Sequence, residues 1–247
     1  QRHSPLNQAV QKKRSDCLEI LLTRSAKPTN DGLLSPLMQA IVSGLDMAVE
    51  LLLEKGADIN YANSCGKTAL YQAIKKNNEK LVAELLDKGA NVHYRDNFGT
   101  TAIHTAASTG NLNIIKAIID HGAEKNALNN KGQNAVFAAL GAPPETFPKL
   151  LRFFYDDLGL DINQESKEKD TIFTELLPDT QRLTEETLTF LIQHGADYNK
   201  KTKARDMSIR DIITTTNMFS PAMKTKFNEL ANAKETREAR EAARKSK

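Results

Sequence analysis

Tryptophan is absent from the 247 residues and aromatic side chains make up only 6%, so a core has to be built from Leu, Ile, Val and Ala. Cysteine occurs twice, at Cys17 and Cys65. Two cysteines are too few for a disulfide framework, and a reducing compartment, cytoplasm or nucleus, is the simpler reading. No apolar run approaches the roughly 20 residues of a membrane span, and no secretory apolar segment stands near the start. Charge of one sign is also missing: 34 Lys and Arg face 31 Asp and Glu. Without a clustered basic face, that balance argues against a nucleic-acid partner. Because the chain opens on Gln1 rather than Met, it is read as trimmed or as part of a longer polypeptide.

Chemistry-bearing patterns are missing as well. There is no H-E-x-x-H or C-x-x-C, and His3, His93, His104, His121 and His194 are scattered, whereas zinc needs three or four convergent ligands. The run Cys65–Thr68, CGKT, lacks the glycine that a phosphate loop requires five residues before Gly66; Tyr61 stands there, and no strand precedes it. No Ser-His-Asp or Cys-His set can be assembled. Cys17, beside Leu18, Leu21 and Leu22, is expected as a small buried hydrophobe, and Cys65 in an exposed loop. The chain therefore reads as non-enzymatic, with no catalytic residue, cofactor or metal.

What is present is repetition, the feature to seek first. Blocks starting at Asn30, Asn63 and Asp96 align without a gap, and their anchors Ser35, Thr68 and Thr101 are 33 residues apart, with Asn134 a further 33 on. Ser4 precedes Ser35 by 31; later anchors fall at Thr171 and Met207, with steps of 37 and 36. The Gly-Ala pairs ending at Ala57, Ala90 and Ala123 keep the same 33-residue ruler. Between anchor and pair lie two apolar stripes at helical spacing. Leu70, Ala73 and Ile74, then Ile103, Ala106 and Ala107, mark a first helix. Leu81, Val82, Leu85 and Leu86, then Ile114, Ile115, Ile118 and Ile119, mark a second. Ser or Thr at the anchor can cap the first helix, and Gly56, Gly89, Gly122 and Gly195 can end the second in the left-handed conformation.

SPLMQAI, TALYQAI and TAIHTAA resemble the ankyrin T-P-L-H-x-A-A signature, and LLLEKGADIN, LLDKGANVH and LIQHGADYN its helix-end motif. Gly66, Gly99 and Gly132 match the family's turn glycine. The resemblance covers about residues 4 to 213 and implies an all-α ankyrin-repeat solenoid of about seven helix-turn-helix repeats with short β-hairpin-like loops. The repeats run approximately 1–29, 30–62, 63–95, 96–128, 129–165, 166–201 and 202–232, with a charged helical tail at 233–247. Repeat 5 carries four extra residues before Leu160, split in an undecided way between GAPPETFP and DDLG. Repeat 6 carries three near PDTQRLTEET. Tail residues Lys234, Arg237, Arg240, Arg244, Lys245 and Lys247 alternate with Glu235, Glu238 and Glu241, the pattern of a solvated helix. The basic run Lys12, Lys13 and Arg14 reads likewise as a solvated turn.

In ankyrin proteins the partner meets the loop tips and the exposed side of the first helices, a concave face. Slot by slot, the resemblance implies partner-binding residues Tyr61 and Lys67 in one loop, Lys75 and Lys76 on the helix that follows, Tyr94, Arg95, Asn97 and Phe98 in the next loop, Ser108 on its helix, and Leu128 and Lys131 in the third. Tyrosine, phenylalanine and basic groups together suit a partner protein with an acidic, partly apolar surface. The expected function is a monomeric protein-recognition scaffold. The alternative is the targeting module of a larger protein, such as a host-directed effector of an intracellular microbe acting in the host cytosol, with its activity elsewhere.

Overall fold

The computed structural model describes residues 5–12, 17, 20, 34–202 and 206–245. Ser4, His3, Lys13, Arg14, Leu18, Leu21, Leu22 and Lys247 lie outside the described residues. The chain divides into two compact units, Gln1–Asn130 and Lys131–Lys247. The described residues hold helices and no strand beyond one isolated bridge, Lys201 with Ser208.

The first unit holds α1 (Pro5–Gln11), α2 (Pro36–Ser43), α3 (Asp46–Glu54), α4 (Ala69–Lys75), α5 (Glu79–Asp87), α6 (Ala102–Ala107) and α7 (Leu112–Asp120). The first helices α2, α4 and α6 pack on their own second helices, α3, α5 and α7, and α1, α2, α4 and α6 pack one on the next. The anchors are its N-caps. Ser35 accepts from Met38 N at 3.2 Å and Thr68 from Tyr71 N at 3.3 Å, while Thr101 forms a capping box with His104. Asn78 and Asn111 cap the second helices in the same way. The apolar stripes are buried as their spacing predicts, apart from Ile119, which is half-exposed. Such short helices have little stability alone, so the stack rests on these faces.

The second unit holds α8 (Ala135–Ala138), α9 (Phe147–Arg152), α10 (Ile172–Leu176), α11 (Glu185–Gln193), α12 (Ile209–Thr215) and α13 (Pro221–Lys245). The structure divides the excess of repeat 5 evenly. In repeat 4 the second helix starts 11 residues after the anchor and runs for 9. In repeat 5 it starts 13 after Asn134, behind the short 3₁₀ turn Pro144–Thr146. The 6 residues of α9 are then prolonged by a 5-residue π-helical turn, Phe153–Asp157. Wider π turns absorb inserted residues without breaking the helix, and here they keep Phe153, Phe154 and Tyr155 buried. In repeat 6 the second helix keeps its 9 residues, so all three extra residues enlarge the turn before Thr184.

Three expectations need correction. The cap of the last first helix is Ser208, not Met207: its hydroxyl and the Asp211 carboxylate form a capping box that methionine cannot make. Cys17 is exposed rather than buried. Ile20, three residues on and therefore on the same helical face, is exposed as well. The tail is not wholly solvated: α13 runs unbroken past Asn232, and its Lys234 and Glu235 touch the body. Lys234 Nζ lies 4.9 Å over the Tyr198 ring and donates to Ala196 O at 3.3 Å. Glu235 accepts from Tyr198 at 3.2 Å and from Arg210 at 2.6 Å. Beyond that turn, residues 236–245 are exposed.

Candidate protein-interaction surface

Loop tips are usually mobile; the two at Asn63–Lys67 and Asp96–Thr100 are tied down by hydrogen bonds. In both, an Asn or Asp folds its side chain over its own backbone. Asn63 Oδ1 accepts from Cys65 N and Lys67 N, both at 3.0 Å. Asp96 Oδ1 accepts from Phe98 N at 2.9 Å and Thr100 N at 2.8 Å. Backbone bonds Asn63 N to Lys67 O and Asp96 N to Thr100 O close each tip as a tight hairpin. The tips are then tied to one another. Asn97 N donates to Cys65 O at 3.1 Å and its side-chain amide to Ser64 O at 3.0 Å. One repeat on, Asn130 N donates to Phe98 O at 2.9 Å and its amide to Asn97 O at 3.1 Å.

This ladder explains the turn glycines. A Cβ on Gly99, where φ is +73°, would stand 2.8 Å from Asn130 N, and one on Gly66 2.7 Å from Asp96 Cα. Only glycine allows both the left-handed conformation and the approach of the next loop.

The implied binding residues take different places on this platform. Phe98 is 74% exposed at a tip and Leu128 is 40% exposed in the neighbouring loop. Arg95 lies between them, donating to Leu128 O at 2.9 Å and pairing with Glu124 at 3.7 Å. Asn97 is exposed, but its amide is committed to Ser64. Lys75 and Lys76 are exposed at the end of α4. Ser108 is half-exposed, with its hydroxyl proton given to Thr105 O at 2.7 Å. Tyr61 and Lys67 are half-buried; Lys67 Nζ lies 4.7 Å over the Tyr71 ring. Lys131 is exposed but belongs to the second unit, where its carbonyl accepts from Lys167 N at 2.8 Å. Lys75, Lys76, Arg95, Phe98 and Leu128 are thus exposed on the first unit, with Lys67 half-buried there.

Tyr94 is the correction here. Expected among the exposed partner-binding residues, it is only 6% exposed. Its ring meets Tyr71 edge-on, with centroids 6.3 Å apart, and its hydroxyl pairs with Thr105 at 3.1 Å. Burial pushes its phenol up from the ordinary range. Residues 92 and 94 are buried while 93 and 95 are exposed.

Asn60 and Asn163 are functional to the architecture in a way the sequence reading missed. Asn60 donates to Gly89 O at 3.2 Å and accepts from Asn91 N at 2.7 Å. Asn163 does the same to Gly195 O and Asp197 N, at 3.1 and 2.8 Å. Their shared D-I-N triplet, 58–60 and 161–163, was the available signal. In the second unit Glu165 bridges Lys200 and Lys169, and those hydrogen bonds, Lys200 first, hold its carboxyl down to about 2. Among the described residues no group of three or more His, Cys, Asp or Glu could hold a metal ion, and no helix is long and apolar enough to cross a membrane.

Comparison with known proteins agrees with the geometry. The family described as ankyrin repeats (3 copies) matches residues 6–96 and, overlapping them, 70–166. No curated protein matches the chain closely enough to count as a relative.

Proposed function

The chain belongs to the ankyrin-repeat family, and we propose that it is a non-enzymatic scaffold that binds a partner protein through the loop-tip and first-helix face of its first unit. Repeats of this family are in general protein–protein interaction modules. The observation that carries the reading is Phe98: a large aromatic, 74% exposed, on a backbone held from both sides by Asn97 N to Cys65 O and Asn130 N to Phe98 O. Holding that ring in water contributes nothing to the stack, whereas a preorganised anchor lowers the ordering cost of association. Leu128 adds a second exposed apolar side chain beside Arg95, and Lys75 and Lys76 add positive charge on the same unit. The Asp96 carboxylate is turned into its own loop. This chemistry suits a partner with an acidic, partly apolar surface.

The test is recovery of the partner by affinity capture, followed by titration of variants with folding checked in parallel. Phe98→Ala with Leu128→Ala is expected to weaken binding, and Lys75→Glu with Lys76→Glu to slow association in a salt-dependent way. Unchanged binding in both, with loss in Glu84→Lys on the opposite helix face, would overturn the assignment.

A further inference from the structure

We propose that the chain associates weakly with a second copy of itself, the arginine row near the end of α13 on one copy lying against the acidic face of α3 on the other. Arg237, Arg240 and Arg244 stand three and four residues apart, so one face of the helix carries all three. It is not the face that docks on the second unit, which runs through Phe227, Ala231 and Lys234. Arg237 is held by Glu241 at 3.0 Å. Arg240 and Arg244 are exposed and, among the described residues, form no ion pair. With Ala233 and Thr236 the three arginines line a shallow open trough along the helix.

The complementary surface is α3. Its sequence, DMAVELLLE, holds three carboxylates and no cation. Asp46, Glu50 and Glu54 follow one another at four-residue steps, are exposed, and form no ion pair among the described residues. Like charges at that spacing repel one another, so the row gains from a cationic neighbour. Met47 lies three residues before Glu50, on the same side of the helix, and is 77% exposed. A flexible thioether of this kind serves as an apolar anchor, and the small side chains of the trough, Ala233 and Thr236, admit it. The two rows thus match in sign and in step. Other polyanions fit less well. Glu238 and Glu241 are exposed on the arginine stretch and would repel a line of phosphates. From Thr236 to Lys245 alanine is the only apolar residue type, which leaves nothing to enter a bilayer. Exposed ion pairs each contribute little, which keeps the association weak.

Sedimentation equilibrium of the 247-residue chain tests this. In about 0.1 M salt the average mass should rise with protein concentration up to about 1 mM. It should return to that of one chain in about 1 M salt, where the Debye length falls from about 10 to about 3 Å. Arg240→Glu with Arg244→Glu, and separately Glu50→Arg with Glu54→Arg, should each weaken self-association by about tenfold or more. Mixed in equal amounts, the two variants should associate again to within about threefold of the parent, because each then meets opposite charge on its neighbour. Circular dichroism checks that each variant keeps the helix content of the parent. Where a reversal does not, the neutral changes Arg240→Gln with Arg244→Gln and Glu50→Gln with Glu54→Gln replace it and should also weaken association. A parent that stays at the mass of one chain throughout, folded variants that associate as the parent does, or a mixture of charge reversals no tighter than its components would overturn the proposal. So would a single-stranded DNA oligomer that binds the parent through these arginines while the protein alone stays at the mass of one chain.

Discussion

Arg182 Nη2 donates to the carbonyl oxygen of Ala142 at 2.5 Å, across 40 residues of sequence. The arginine stands in the enlarged turn of repeat 6 and the carbonyl in the enlarged turn of repeat 5, so the two insertions support one another. Nη1 pairs with Asp179 at 2.5 Å, and the side chain is only 14% exposed. Nε is buried with no acceptor, so the contact is purchased at some desolvation cost. Arg182→Ala leaves Ala142 O and Asp179 without their partner and should destabilise the second unit by about 2 kcal/mol. Arg182→Lys should not restore it, because one ammonium cannot span both acceptors. Denaturant unfolding that leaves Arg182→Ala within error of the parent would refute the support.

Gly99→Ala and Gly89→Ala separate conformation from contact. Both glycines have positive φ, +73° and +86°, but a Cβ on Gly89 meets nothing within 4 Å. Gly89→Ala should cost about 1 kcal/mol for the left-handed backbone alone. Gly99→Ala adds a clash with Asn130 and should cost about 3 kcal/mol. Equal losses in thermal unfolding would mean that the loop ladder contributes nothing.

Tyr94 and Phe98 should divide stability from binding. Tyr94→Phe removes the hydroxyl pair with Thr105 and should cost about 1 kcal/mol of stability with no effect on partner affinity. Phe98→Ala should leave stability unchanged and cost about 1–4 kcal/mol of binding. The reverse pattern in paired melting and titration experiments would move the binding site elsewhere.

Truncation of α13 should show a sharp boundary. Ending the chain after Asn232 removes Lys234 and Glu235 with their contacts to Ala196, Tyr198 and Arg210, an expected loss of about 1–2 kcal/mol. Ending it after Arg237 keeps those contacts and should leave the melting temperature unchanged. Identical melting of the two truncations would return the whole tail to solvent.

Glu175 gives a pH dependence. Burial first, and then Asp170 and Glu168 nearby, raise its carboxyl above the ordinary range. A raised folded value means that folding favours the neutral form. The contribution is present at low pH and lost as pH rises through the folded value. Glu175→Gln should therefore be more stable than the parent at pH 7, with the difference vanishing below about pH 4. A Gln variant that is less stable at pH 7 would contradict the sign.

Much of this was legible from residue order because the repeat is local. Anchor, stripe and helix-ending glycine lie within one 33-residue unit, so caps at Ser35, Thr68, Thr101 and Thr171 and the buried faces of α4 to α7 follow from short-range spacing. Three things do not. The direction of Tyr94 depends on packing against Tyr71 and Thr105, residues from two different helices. The sharing of four extra residues in repeat 5 between turn and π-helical segment depends on which option keeps Phe153 to Tyr155 in the core. The union of the two insertions through Arg182 and Ala142 joins positions 40 residues apart that no period relates. Spacing determines which face each helix buries; only the stack decides which exposed slots still find a neighbour, because that depends on contacts made between repeats.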